Sequence, residues 1–177
     1  MSNTQFHRDN IEPEWQDLVN EFPEIFLDPS PAVIEMFDQH HGKGFPSTLE
    51  NCCNLRYSAE CDVGWKMLIW GFCEKMRELQ QFAQSNHHEI HYKTFILKEK
   101  LGQLRDQGDF YGPEAHLYRA LYQDISSTME NKSYQVCEIT GRPGSLRRKP
   151  SGWVKTLCDE EAHRFGYEMG VYSDSEN

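Results

Sequence analysis

The chain has 177 residues and a formal net charge of −10, with 38% hydrophobic and 12% aromatic residues. This length suits one domain that buries a core without disulfides or metal ions, and the aromatic content argues against disorder of the whole chain. The acidic balance disfavours broad binding to the phosphate backbone of nucleic acids.

The N-terminal segment lacks the basic residues and apolar core of a secretory signal. No apolar run approaches the roughly 20 residues that span a bilayer. We therefore expect a cytoplasmic protein and a single α+β domain over residues 1–170, followed by a flexible tail at 171–177. In that compartment we expect reduced thiols at all six cysteines: Cys52, Cys53, Cys61, Cys73, Cys137 and Cys158.

Helical periodicity marks the N-terminal segment and the clearest element of the chain. Residues 12–40 are predicted to be helical, with a break at Pro23 and a new start at Pro31. From the N-cap candidate Asp62 to Gln84, apolar residues follow the i, i+3, i+4 pattern of a core helix. Its predicted buried stripe contains Trp65, Leu68, Ile69, Phe72, Cys73, Met76, Leu79, Phe82 and Ala83.

The central part, residues 55–131, is predicted to form the core of the domain. β-Branched and aromatic residues predict a strand over 90–97, and a tight turn follows at 101–102. Residues 106–113 (DQGDFYGP) have the composition of a loop. A second amphipathic helix is expected from near Pro113, so the core is a small antiparallel sheet packed against two long amphipathic helices. The residues expected to be buried in the second helix are Leu117, Ala120, Leu121, Ile125 and Met129.

The C-terminal part, residues 134–165, is predicted to be a zinc-ribbon-like knuckle. A zinc ribbon needs two ligands on a turn and two at a strand-to-helix junction. CEITGRPG begins at Cys137 and WVKTLC ends at Cys158, but Thr140 replaces the second thiolate of the turn. We therefore predict a degenerate knuckle without metal and no cofactor. The alternative is zinc held by Cys137, Cys158 and His163 with a water molecule.

A histidine cluster at HHEIH offers a second metal hypothesis. Its spacing is H-E-x-H, which cannot place both imidazoles on one helix face as H-E-x-x-H does. On a strand, however, His87, Glu89 and His91 would share a face and hold a divalent cation. A metal-dependent hydrolase that uses this cluster, with His88, is one alternative. A solvated strand edge is the favoured interpretation.

A basic stretch near the C-terminus offers a nucleic-acid hypothesis. Basic residues around an aromatic ring can hold phosphate and stack a base, as Arg147, Arg148 and Trp153 would. The favoured interpretation is a solvated hairpin that pairs with the acidic segment at 159–161. Five cations lie in this stretch: Arg142, Arg147, Arg148, Lys149 and Lys155.

Four segments, in chain order, carry a family pattern: ECDVGW at 60–65, FILKEKLGQLR at 95–105, CEITGRPG at 137–144 and GWVKTLC at 152–158. They resemble the segments E-C-G-D-G-W, V-K-E-K-F-G-x-L-R-F and C-E-x-C-G-x-P-G…W-x-x-T-L-C of a family of small uncharacterised proteins from bacteria and their phages. The resemblance implies an α+β fold with a terminal knuckle. It implies no particular activity.

The chain shows no motif of nucleophilic or nucleotide-dependent catalysis: G-x-S-x-G, the Walker loop and G-x-G-x-x-G are all missing. We therefore expect a non-catalytic binding protein, and not an enzyme. The occurrence of the resembling family in phages suggests capture of a host protein or a small ligand, in host takeover or counter-defence. The charges beside the predicted strand end are the expected contacts: Lys98, Glu99, Lys100 and Arg105.

Overall fold

Two long helices and a β-hairpin form the larger part of the computed structural model, which describes residues 11–26 and 59–168. The predicted helix after Pro31, the tail at 171–177, and Cys52 and Cys53 lie outside these ranges. In chain order the elements are α1 (Gln16–Glu21), α2 (Pro23–Phe26), α3 (Lys66–Ser85), β1 (His91–Lys100), β2 (Gln103–Tyr111), α4 (Ala115–Ser133), β3 (Ser145–Arg148), β4 (Val154–Leu157) and α5 (Asp159–Phe165).

The two short N-terminal helices dock on α3. Pro23 separates them, because a proline cannot continue the preceding helix. Arg77 of α3 holds both: it donates to the carboxylates of Glu21 and Glu24 at 2.8 Å each. Its guanidinium also lies 4.4 Å from the centre of the buried Phe22 ring. The predicted break at Pro23 is thus confirmed.

Helix α3 carries the predicted apolar stripe, with one error. Trp65 and Ile69 are fully buried, as are most of the apolar positions that follow. Phe82, however, is 57% exposed, so its predicted burial is wrong. The stripe at this end of the helix passes through Leu79 and Ala83 instead. Phe82 lies beside it, with its ring against the edge of an aromatic residue of α4.

Strands β1 and β2 form an antiparallel hairpin whose register runs from His91 opposite Tyr111 to Lys100 opposite Gln103, with a bulge between Thr94 and Ile96. The predicted loop at 106–113 is therefore wrong, because β2 continues to residue 111. Its Asp and Gly residues serve packing and not a turn. A Cβ at Gly108 would overlap the buried Tyr92 hydroxyl.

The buried face of α4 matches the predicted one in its second half, where Met129 is buried and Ile125 packs against the core, but it differs in the first half. Leu117 is 55% exposed, and Leu121 and Ala120 are exposed as well. The helix faces the core with two tyrosines instead, which bury their rings and direct their hydroxyls to polar partners. Tyr118 contacts the His88 ring nitrogen, and the half-buried Tyr122 lies over β2. Apolar periodicity alone misses this part of the face.

The knuckle has its own small core, and main-chain carbonyl groups of the knuckle contact the rest of the molecule. Strands β3 and β4 pair antiparallel, and α5 follows directly. The buried Trp65 indole donates to the Val136 carbonyl at 2.7 Å. A Cβ at Gly64 would lie 2.4 Å from the carbonyl oxygens of both Cys137 and Glu138. The indole hydrogen bond and the close approach that Gly64 allows therefore fix the position of the knuckle against the rest of the molecule.

The predicted fold class is confirmed: α+β, with an antiparallel hairpin against two long amphipathic helices and a C-terminal knuckle. The two sheets have two strands each, and a single parallel bridge from Glu60 to Lys98 extends the first. None of the helices in the described ranges is long and apolar enough to cross a membrane.

Candidate functional site

The turns of the two hairpins lie side by side. Gly102, in the β1–β2 turn, packs so closely on the second hairpin that a Cβ would lie 2.4 Å from a methyl carbon of Leu146. The Thr156 hydroxyl donates to the Gly102 carbonyl at 2.6 Å and fixes the contact. The two turns flank a cavity of about 320 Å³. Its lining, which we name the tip surface, consists of Glu99, Leu101, Ser151, Gly152, Trp153 and Val154.

Two large apolar side chains dominate the tip surface and face solvent. Leu101 is 69% exposed and Trp153 is 70% exposed. Leu101 also has φ 55° and precedes Gly102 with φ 77°, so both central residues of this turn are left-handed. Such turns favour Asn-Gly, and a left-handed leucine costs about 1–2 kcal/mol. Leucine thus occupies a position where both the left-handed backbone conformation and the exposure to solvent are unfavourable. This combination points to a functional role for the side chain.

Of the four contacts predicted beside the strand end, Glu99 lies in the tip surface. Its carboxylate accepts a hydrogen bond from the Gly102 amide at 2.5 Å and so holds the turn. Strand alternation directs Lys98 and Lys100 to the other face of β1. Arg105, opposite Lys98, forms an ion pair with Glu130 of α4 at 2.7 Å. The structure therefore does not bring these four residues together.

The basic stretch around Trp153 largely pairs with acidic residues. Arg147 is buried and its guanidinium lies 2.5 Å from Asp159. Arg142 lies 2.6 Å from Glu160. These pairs fit the favoured prediction of a hairpin that pairs with the segment at 159–161. Because these guanidinium groups are paired, the stretch has less uncompensated positive charge with which to bind phosphate groups. Two further cations are already engaged: Lys149 lies over the Tyr167 ring, and Lys155 contacts Glu138 and Asp62.

The histidine cluster does not share a strand face. Strand β1 begins at His91, and His87 ends the preceding helical turn with φ 61°, so the predicted arrangement is wrong. His88 contacts the Tyr118 hydroxyl at 2.7 Å, while His91 stacks on Tyr111. Within residues 11–26 and 59–168, no group of three or more His, Cys, Asp or Glu side chains could hold a metal ion.

The knuckle keeps the shape of a ribbon around two cysteines. Cys137 lies on the turn, Cys158 lies at the junction of β4 and α5, and both are buried in the small core of the knuckle. The Thr140 hydroxyl lies 3.8 Å from the Cys158 sulfur, and the Arg142 guanidinium lies 3.6 Å from it. His163 is exposed in the last turn of α5. The predicted ligand trio is therefore reduced to a pair of thiols.

The electrostatics of the knuckle favour ionisation of one thiol. Burial opposes it, but hydrogen bonds from the Glu161 amide, Thr140 and Cys137, with the charge of Arg142, hold the pKa of Cys158 below its ordinary value. Cys61, by contrast, has a raised pKa, because it is partly buried and lies near carboxylates. The thiols of the described residues thus differ sharply in character.

No protein-family model, curated protein or solved structure matches this chain. The resemblance to bacterial and phage proteins therefore stays a prediction. Of the tip surface, sequence reasoning identified Glu99 and Trp153 but missed Leu101. The signal was present in the sequence: Leu-Gly occupies a two-residue turn that ordinarily takes a polar first residue.

Proposed function

We propose that this protein is a non-catalytic binding protein that captures another protein through its tip surface. The observation that carries the proposal is the exposure of Leu101 and Trp153 on two neighbouring turns, the first of which packs on strands β3 and β4 of the second hairpin. Tryptophan is enriched among the residues that dominate binding energy, and a rigid platform lowers the entropic cost of association.

The surroundings of the tip surface suggest the chemistry of the partner. Strand alternation directs Lys100 to the other face of β1, and Lys149 lies over the Tyr167 ring, so the exposed leucine and tryptophan dominate the chemistry that the tip surface offers. The partner should therefore offer an apolar pocket that takes up these two side chains. The predicted resemblance to phage proteins supports a host protein as the class of partner. A small ligand is less favoured, because the cavity is shallow and its two large side chains face outward.

The test compares two tip variants with a matched control. A binding protein is first isolated from host lysate and identified, and its affinity is then measured by calorimetry. Trp153→Ala should weaken binding by about 2 kcal/mol, or roughly 30-fold, as for an interface hot spot. Leu101→Asn suits the turn geometry and should also weaken it. Leu117→Ala removes another exposed leucine, which lies on α4 outside the tip surface, and should leave the affinity unchanged.

Two outcomes would count against the proposal. Equal affinity for wild type and both tip variants would place the binding surface elsewhere. Binding of oligonucleotides that weakens steeply with salt, and that needs Trp153 and Arg148, would make the protein a nucleic-acid-binding module instead.

A further inference from the structure

The two cysteines of the knuckle stand where a ribbon holds a metal ion, but the other positions of that site have changed. Thr140 occupies the second position of the turn, and Glu161 lies three residues after Cys158. Cys137 and Cys158 are both buried in the small core of the knuckle, and Thr140, three residues after Cys137, lies 3.8 Å from the Cys158 sulfur. We propose that these two residues form a thiol–disulfide pair, which an oxidant of the peroxide class closes and a thiol reductant opens.

The surroundings assign a different role to each sulfur. Cys158 lies at the edge of a surface cavity of about 520 Å³, which also contacts Arg142 and Arg147. Cys137 is completely buried. A small oxidant therefore reaches Cys158 first, and Arg142, at 3.6 Å, stabilises the anionic sulfur that attacks. Cys137 is the resolving thiol.

The chemistry balances with peroxide as the only co-reactant. The Cys158 thiolate attacks one oxygen of hydrogen peroxide, the O–O bond breaks, and a sulfenic acid and hydroxide form. The Cys137 sulfur then attacks the sulfenic sulfur, and the S–O bond breaks. The hydroxide lost from the sulfenic acid takes the Cys137 proton, and the hydroxide of the first step takes the proton that Cys158 gave up, so two thiols and one peroxide give one disulfide and two water molecules.

The same geometry disfavours a metal ion. The guanidinium of Arg142 brings a positive charge to the Cys158 sulfur and is itself held by Glu160 at 2.6 Å. A cation bound between the two sulfurs would be repelled by that charge at close range. The position is therefore better suited to an anionic sulfur than to a bound cation.

Peptide mapping tests the pair directly. Reduced protein is treated with hydrogen peroxide, and free thiols are then alkylated and digested for mass spectrometry. We expect one linked pair of peptides, containing Cys137 and Cys158, lighter by two hydrogen atoms and separated again by dithiothreitol. Cys73, which is buried in α3, serves as an internal control and should be alkylated only after unfolding.

Two variants distinguish the roles of the two cysteines, and neither experiment requires a known activity of the protein. Cys137→Ser should stop at a sulfenic acid on Cys158 that dimedone labels, and Cys158→Ser should give no linked peptide and no label. Arg142→Gln should slow disulfide formation several-fold. Because either cysteine variant could fold poorly, the wild-type peptide map is the deciding measurement. The proposal is overturned if the cysteines stay reduced, if they pair differently, or if protein purified without chelator contains near-stoichiometric zinc.

Discussion

Asp106 is a buried carboxylate that three hydroxyl groups satisfy. Tyr92, Thr94 and Tyr122 donate to it at 2.5, 2.6 and 2.9 Å, and they come from β1 and α4. Burial raises the pKa of Asp106, while these hydrogen bonds act in the opposite direction. The cluster ties the strand bulge to the helix, so its value is structural.

Loss of this carboxylate should be costly. Asp106→Ala leaves three hydroxyls without their acceptor, and an unsatisfied buried polar group costs about 1–3 kcal/mol. We expect the free energy of unfolding to fall by about 3 kcal/mol or more in urea titrations. Asp124→Ala, at an exposed position of α4, is the control and should change it by less than about 0.5 kcal/mol. Similar effects of both substitutions would contradict the role of the cluster.

Glu138 predicts a pH dependence of stability. Burial raises its pKa to about 7, against the opposing effect of Lys155 at 2.7 Å. Its second oxygen is buried without a hydrogen-bond partner in the described part of the chain. Because the folded protein binds this proton more tightly than the unfolded chain, the contribution is complete below the unfolded pKa of about 4.5 and is lost as pH rises through 7.

The measurement is the free energy of unfolding of wild type and Glu138→Gln between pH 5 and about 8. Wild type should lose stability relative to the variant as pH rises, since glutamine does not titrate. A difference between the two proteins that stays constant over this range would show that Glu138 does not titrate there.

The β1–β2 turn carries a prediction at the level of an element. Asparagine tolerates the left-handed conformation that Leu101 adopts, so Leu101→Asn should stabilise the hairpin by about 0.5–1 kcal/mol. The same substitution should weaken partner binding, which is the trade-off expected where a surface is kept for function. Thermal unfolding measures the first effect.

Gly102→Ala is the complementary control in the same turn. It should destabilise the protein, because the added methyl group meets Leu146 and the φ of 77° disfavours alanine. A loss of stability in Leu101→Asn comparable to that in Gly102→Ala would show that the leucine itself holds the turn.

The elements differ in how far local patterns determine them. Helix α3 was predictable because its apolar residues repeat at helical spacing over many turns. Strand β2 was not, since Asp106 and Gly108 indicate a loop until their partners on β1 and α4 are known. The first half of the buried face of α4 was missed for a related reason: a tyrosine ring can be buried only where its hydroxyl group finds a polar partner, and the sequence does not show that partner.

For the molecule as a whole, the class of fold could be predicted but the tip surface could not. Trp153 stands out in the sequence as an aromatic residue among cations. Its neighbour Leu101 comes from a distant part of the chain, and only the packing of Gly102 on the second hairpin brings the two together. Local patterns can mark single residues of such a site, but they do not show that the two residues lie together.

The knuckle is held in place through its main-chain carbonyl groups, and this determines which of its side chains can be substituted. Trp65 and Gly64 recognise carbonyl groups, which every residue type supplies. Side chains of the turn and of α5 that take no part in this contact can therefore be substituted without moving the knuckle. The side chains around the two cysteines can thus change, and the knuckle can acquire new chemistry while its place in the fold stays the same.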